Sequence, residues 1–245
     1  MIFEASEFVF TPPPLISRAR RVLIKPNAVD GQPYPMSTSR ETLALVVDSI
    51  KKVSDADIII LEGTSTGEPI YPVYQALGYD FPRVLMLDVK DCIWVEVENP
   101  LPHCFAVATF WVPNVVISSD YLISITPHQV SGNSGIFSIE NLLSLLPVSK
   151  YKGEAPGGWG TLSEFGMDKV IADLYFTLPF DLGIIDARQK LFYEEGKLNG
   201  RVEKYEKIFA GEPYEIDREA SQIDKLTTGY LEFIESGKSE LETWS

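Results

Sequence analysis

The chain has 245 residues, 45% hydrophobic and 23% charged, with 21 Lys and Arg against 35 Asp and Glu, for a formal net charge of −14 at pH 7. This balance excludes a disordered or collagen-like chain and suits one large α/β domain over residues 1–245, or two small domains, the first reading being preferred. Because the acidic field repels phosphates and anionic lipid, and no dense basic run offsets it, neither a nucleic acid nor a membrane is an expected partner.

Cys92 and Cys104 are too few for a disulfide framework or an iron–sulfur cluster, and read as thiols of a reducing compartment. The opening "MIFEASEFVFTPPPL" lacks the basic start and apolar core of a signal peptide, and no apolar run reaches the roughly 20 residues that span a bilayer. A cytoplasmic location is expected.

In chain order, "RVLIKPN" is a strand that Pro26 should end, leaving Lys25 and Asn27 at its carboxyl edge. "STSRETLALVVDSIKKV" follows with Leu43, Val46, Val47 and Ile50 at helical spacing, and Thr38 with Glu41 as its capping box. "DADIIILEGTSTG" is a strand buried on both faces, since Ile58 to Leu61 is continuous rather than alternating. A short helix near Ile70–Leu77 precedes the strand "RVLMLDV". Residues 91–113, with "WVEVENP" and "FAVATFWV", alternate like an antiparallel hairpin inserted between the main elements.

"NVVISSDYLISI" resumes the buried pattern and is expected to stop before His128, followed by the loop "SGNSG" and a helix "GIFSIENLLSLLP" closed by Pro147. Residues 150–160 form a glycine-rich stretch, either a lid or a surface loop. Thr161 with Glu164 would cap a helix carrying Met167, Val170, Ile171, Leu174 and Leu178. A short strand "FDLGIIDAR" then ends at Asp186, and a further strand leads to Asp217 at the start of a last helix with Ile223, Leu226, Tyr230 and Ile234. Strands alternating with helices predict a three-layer α/β fold, a mostly parallel sheet flanked by helices, with a small antiparallel insertion.

Several strands thus end in polar residues, and open α/β sheets bind ligands outside those ends. His128 is a candidate general base, paired with Glu62, or a metal ligand; its alternative is a histidine bonded to backbone. Lys25 and Asn27 would contact an anionic small molecule, or Lys25 would snorkel at the sheet edge. Gly63 and Thr64 form either a turn or a close approach to ligand, and Ser131 and Ser134 either cradle an anion or cap a helix. Glu62, His128, Asp186 and Asp217 have the chemistry of ligands to a divalent metal, although no diagnostic metal spacing occurs and Asp217 would equally serve as a helix cap. Walker A, dinucleotide and nucleophile-elbow patterns are missing.

The ordered set "VLIKPN", "ILEGTSTG", "SDYLISITPHQVSGNSGIFSIENLLSLLP", "LGIIDA" and "KIFAGEPYEIDREA" resembles domain-of-unknown-function family 362 over roughly residues 20–230. The resemblance implies that Lys25, Pro26, Asn27, Glu62, Gly63, His128, Asn141 and Asp217 occupy the family's recurrent positions. The chain departs at Thr126, Pro127 and Glu140, where the family usually has lysine, threonine and lysine, so two cations are lost. Many relatives carry a ferredoxin-like cysteine-rich module, which the resemblance associates with anaerobic redox metabolism; here the cysteines are missing, and electron transfer would need a separate ferredoxin-like partner. Three functions remain: a small-molecule enzyme or enzyme-like binder, a non-catalytic binding or scaffold protein that lost the family's chemistry, and a redox accessory protein. A homo-oligomer is compatible with each.

Overall fold

The computed structural model describes residues 1–28, 31–154, 158–178, 180–193 and 200–244. Its strands are β1 (Ile2–Glu4), β2 (Arg21–Pro26), β3 (Asp57–Glu62), β4 (Val84–Asp88), β5 (Trp94–Glu98), β6 (Thr109–Pro113), β7 (Tyr121–Ser131), β8 (Ser134–Ile136), β9 (Leu182–Tyr193) and β10 (Arg201–Gly211). The helices are α1 (Arg40–Val53), α2 (Tyr71–Ala76), α3 (Asn114–Ile117), α4 (Val148–Tyr151), α5 (Gly160–Ser163), α6 (Met167–Thr177), α7 (Pro213–Asp224) and α8 (Gly229–Trp244).

Eight strands form one sheet in the order β1-β10-β9-β7-β2-β3-β4, with β8 paired to β7, and β5 with β6 form a separate two-stranded sheet. The run from β9 through β4 is parallel, whereas β10 pairs antiparallel with β9 and β1 with β10. The continuous apolar run of β3 follows from the layers: Ile58 and Ile60 pack with Leu43, Val46 and Ile50 of α1, while Ile59 and Leu61 join the opposite cluster with Leu174 of α6 and Ile234 of α8. α/β layering and the inserted antiparallel pair are therefore as expected. Asp173 of α6 fastens the insertion, its carboxylate accepting from the backbone N–H groups of Phe105, Ala106 and Val107 at 3.0, 2.7 and 2.8 Å.

Several boundaries move. β7 does not stop before His128 but continues to Ser131, because Pro127, which cannot donate to the ladder, is absorbed where the β7–β9 register shifts between Pro127 and His128. "SGNSG" is the tip of the β7–β8 hairpin, with Ser131 paired to Ser134 and Gly132 at φ +59°, so it opens no helix. The helix expected after it is a 3-10 helix over Glu140–Leu145 only.

β9 likewise runs on past Asp186. The last helix is two, since Lys225 at φ +56° ends α7, and Asp217 lies inside α7, whose N-cap is Glu212. α1 is capped by Ser39 rather than Thr38, its hydroxyl accepting from Thr42 N at 3.0 Å. Thr161 caps nothing; it sits within α5 and donates to the Tyr151 carbonyl. Among the described residues no helix is long and apolar enough to cross a membrane.

Candidate functional site

Adjacent parallel strands β2 and β3 end side by side at Pro26 and Glu62, and the 3-10 helix folds over those ends. Between them lies a cavity of about 190 Å³ whose lining includes Asn27, Glu62, Thr64, Glu140, Asn141 and Trp159. Its floor is a polar network. Lys25, fully buried, donates to Glu62 Oε2 at 2.8 Å, the Pro26 carbonyl at 2.7 Å and Asn141 Oδ1 at 3.1 Å. Glu62 also accepts from the N–H groups of Ala28 (3.0 Å) and Gly63 (2.9 Å) and from Ser144 Oγ (2.5 Å). Asn141 Nδ2 returns to the Lys25 carbonyl at 3.2 Å and reaches Ser124 Oγ at 3.0 Å.

The network changes the roles assigned to these residues. Burial draws the Lys25 ammonium below the ordinary lysine range, with Glu62 opposing the shift, and all three ammonium donors are used inside the protein. Lys25 therefore faces its partners rather than an incoming anion. Glu62 accepts four hydrogen bonds and acts here as an anchor for the strand end. Gly63 is required by close approach, for a Cβ there would lie 2.8 Å from the Ser144 carbonyl oxygen and 3.0 Å from Val89 Cβ. Gly63→Ala is expected to cost about 1–3 kcal/mol by forcing the 3-10 segment outward; a thermal unfolding midpoint equal to wild type would contradict that reading.

Glu140 is the group left with chemistry to do. Its half-buried carboxyl lines the cavity, makes no hydrogen bond to a described residue, and is pushed up to about 8 by burial, with Asp168 and Asp217 adding to the shift. A carboxyl that holds its proton at neutral pH can donate a hydrogen bond and later take the proton back. Asn27, Thr64 and the Trp159 wall complete the lining, Trp159 being oriented by its Nε1–H donating to the Leu146 carbonyl at 2.9 Å. Of the 150–160 stretch, residues 155–157 lie outside the described residues.

The other candidates lie elsewhere. His128 is fully buried on β7, with its ring 5.0 Å from Phe137 and 6.5 Å from Phe209. Its Nε2 is 2.9 Å from Asp224 Oδ2, an ion-pair distance out of line for a hydrogen bond, and Nδ1 has no hydrogen-bond partner. Burial holds this imidazole below its ordinary range, against the pull of Asp224, and Lys190 pairs with the other Asp224 oxygen. His128 is thus a core residue and does not pair with Glu62.

Asp217, also buried, accepts from Ser138 N (3.0 Å), Ser138 Oγ (2.6 Å), Ile139 N (2.9 Å) and Tyr230 OH (2.9 Å). It is the strut behind the 3-10 helix, not a ligand contact. Asp186 faces α1, where it takes hydrogen bonds from Thr42 Oγ1 at 2.6 Å and Arg188 Nη2 at 2.7 Å. Ser131 and Ser134 sit at the β7–β8 hairpin, and His103 is exposed beside Glu240.

The four metal candidates Glu62, His128, Asp186 and Asp217 therefore lie in separate places. No three His, Cys, Asp or Glu side chains are gathered to hold a metal among the described residues. Cys92 and Cys104 are unbridged, and burial pushes the Cys92 thiol up to about 11. A larger cavity of about 740 Å³ opens on the α1 face beside Tyr34, Arg40 and Arg188. The guanidinium of Arg188 is already committed to Asp186, Glu41 and Ser39, so the smaller cavity is the one with an unpaired reactive group.

Sequence reading noted Glu140 only as a departure from the family and passed over Ser144. A signal was present: in "FSIENLLSLLP" the polar Ser138, Glu140, Asn141 and Ser144 interrupt an apolar run, which is unusual unless those side chains face a polar interior.

Fold and cleft together define an α/β protein with a polar cavity over the carboxyl ends of two parallel strands. The chain belongs to the family described as Domain of unknown function (DUF362), which it matches over residues 22–222. No curated protein matches it. Among solved structures it is similar to the lactate racemase apoprotein from Thermoanaerobacterium thermosaccharolyticum, with a TM-score of 0.53 and 14% identity, covering 89% of this chain and 53% of that one. The likeness is one of fold, and the chain spans about half the length of that protein.

Proposed function

We propose that the chain binds a small organic acid in the cavity over β2 and β3, with Glu140 supplying the proton that a carboxylate or carbonyl oxygen of the ligand accepts. One observation carries this: Glu140 lines the cavity with no bond to a described residue and with its carboxyl at about 8, while Lys25 and Glu62 of the cavity floor are saturated. Asn27 and Thr64 would orient the ligand, and the Lys25–Glu62–Asn141 floor would keep the cavity in shape. In an enzyme, Glu140 would be the general acid and base.

Thermal-shift and NMR titration with small hydroxy and oxo acids tests the proposal, lactate being the first probe because the structural neighbour's description names it. Wild type is expected to bind at least one such acid near neutral pH and to lose it well above the Glu140 midpoint of about 8, where the carboxylate would repel the ligand. Glu140→Ala should abolish binding. Binding by the Ala variant equal to wild type, or no binding by any acid near neutral pH, would sink the proposal.

Glu140 also leaves a mark on stability that needs no ligand. Its folded midpoint of about 8 lies above the ordinary 4.5, so the folded chain holds a proton that the unfolded chain releases between those values. Stability therefore falls as pH rises through that window, and Glu140→Gln should remove the fall, raising the melting temperature in mildly alkaline buffer with little effect in acid. The saturation of Lys25 and Glu62 favours a second reading, a non-catalytic binding or scaffold protein; it is preferred if ligand binds and no conversion follows.

A further inference from the structure

With Glu140 taken as the group that holds the acid end, a reading on which this one rests, we propose that the ligand carries an apolar, ring-sized substituent and that Trp159 selects it. Beside its polar floor the same cavity has a second kind of lining: Ala28 just beyond β2, Ile136 of β8, Leu143 of the 3-10 helix and the indole of Trp159. Four separate segments thus bring apolar surface to the space that the Glu140 carboxyl also lines.

Size points the same way. The cavity of about 190 Å³ is more than ten times the roughly 10–15 Å³ that one ordered water needs, so lactate, with a single methyl, would leave its apolar side to water. Water against Ala28, Ile136, Leu143 and an indole finds few hydrogen-bond partners, and replacing it with hydrocarbon is favourable. Trp159 is held in place for that contact. Its Nε1–H donates to the Leu146 carbonyl at 2.9 Å, its own carbonyl accepts from Leu162 N at 3.0 Å and Ser163 N at 3.2 Å, and its half-buried ring packs against the apolar cluster that includes Leu143 and Leu146. Gly158, just before it, lies so close to Ser65 that a Cβ there would overlap the Ser65 carbonyl oxygen. A wall fixed in this way needs little ordering when a ring lies against it, and a ring against indole adds an attraction beyond the area it covers.

Charge narrows the choice further. Among the described residues that line the cavity, the ionisable ones are Glu62 and Glu140, both acids, and the Lys25 ammonium beneath them is already spent on Glu62, Asn141 and the Pro26 carbonyl. No cation therefore waits for a second carboxylate or a phosphate on the ligand, and either group would bring an unpaired anion beside Glu62. A neutral apolar tail is the substituent this lining accommodates.

Isothermal titration calorimetry of the full chain near neutral pH with lactate, 3-phenyllactate and malate tests this. Wild type is expected to bind 3-phenyllactate about tenfold or more tightly than lactate, the usual effect of a group filling an apolar pocket, and malate no better than lactate. Trp159→Ala should lose most of that preference while leaving the affinity for lactate as it was, Trp159→Phe should keep a large part of it, and Glu140→Ala should lose both acids. If circular dichroism shows that Trp159→Ala does not fold, Ile136→Ala, which trims the same lining from the β8 side, should lower the preference instead. Equal affinity for lactate and 3-phenyllactate, a preference that survives intact in the folded variant, or tighter binding of malate than of 3-phenyllactate overturns this proposal and leaves Glu140 as an acid-binding group. Binding of no acid at all overturns the Glu140 reading and this inference with it.

Discussion

Lys25→Met should lower folding stability by about 3–5 kcal/mol, the usual cost of removing one partner from a buried ion pair. Glu62 would remain buried, with the backbone N–H groups of Ala28 and Gly63 and the Ser144 hydroxyl as its only donors. Asn141 would lose a donor to its Oδ1 as well. Urea unfolding of Lys25→Met and of Lys25→Met with Glu62→Gln measures this, because neutralising both partners leaves no uncompensated charge and should recover a large part of the loss. If the double variant is less stable than the single one by the full Glu62 effect, the two residues do not act as a pair.

Asp217→Ala is the second large loss, about 3 kcal/mol or more, since it strands the Ser138 and Ile139 N–H groups in the interior and opens a void beside Tyr230. Burial raises the Asp217 carboxyl to about 7 in spite of four donors, against an ordinary 3.8. The folded chain then holds a proton that the unfolded chain has released, so the stability this residue contributes is greatest in acid and declines as pH rises through that interval. Unfolding midpoints should show wild type and Asp217→Ala furthest apart near the acid end and closer together above neutrality. A difference that widens with pH would mean that the carboxylate, not the acid, is the stabilising form.

Much of the architecture was legible because its signals are local. Ile58 to Leu61 announced a strand covered on both sides, and alternation in 91–113 announced the inserted pair. Where a local signal had two meanings, the structure chose by tertiary context. Pro127 looked like a strand terminator and is instead accommodated at a register shift, which carries His128 into the sheet interior. Asp217 looked like a helix cap and faces inward from mid-helix to hold another segment.

For the site, strand ends placed Asn27, Glu62, Gly63 and Thr64 at one edge of the sheet, where they line the cavity, whereas Asn141 entered only through the family resemblance. Whether Lys25 pointed at solvent or at Glu62 depends on which face of β2 the 3-10 helix covers, and no spacing within "VLIKPN" encodes that. Glu140 was noted as a departure from the family's pattern and not as an acid, because an elevated carboxyl is a property of its surroundings.

The cavity floor ties together residues far apart in the chain: Lys25 to Glu62 across 37 positions, Lys25 to Asn141 across 116, and the 3-10 segment to Asp217 across 78 and 79. Closing loops of that span costs conformational entropy that grows only slowly with their length. A chain ending before α7 keeps the Asn141 and Ser144 bonds to Lys25 and Glu62 but lacks the Asp217 carboxyl that holds Ser138 and Ile139 just ahead of Glu140. Slowed amide exchange at Ile139, whose N–H donates to Asp217, should therefore appear with the docking of α7 rather than with the first strands.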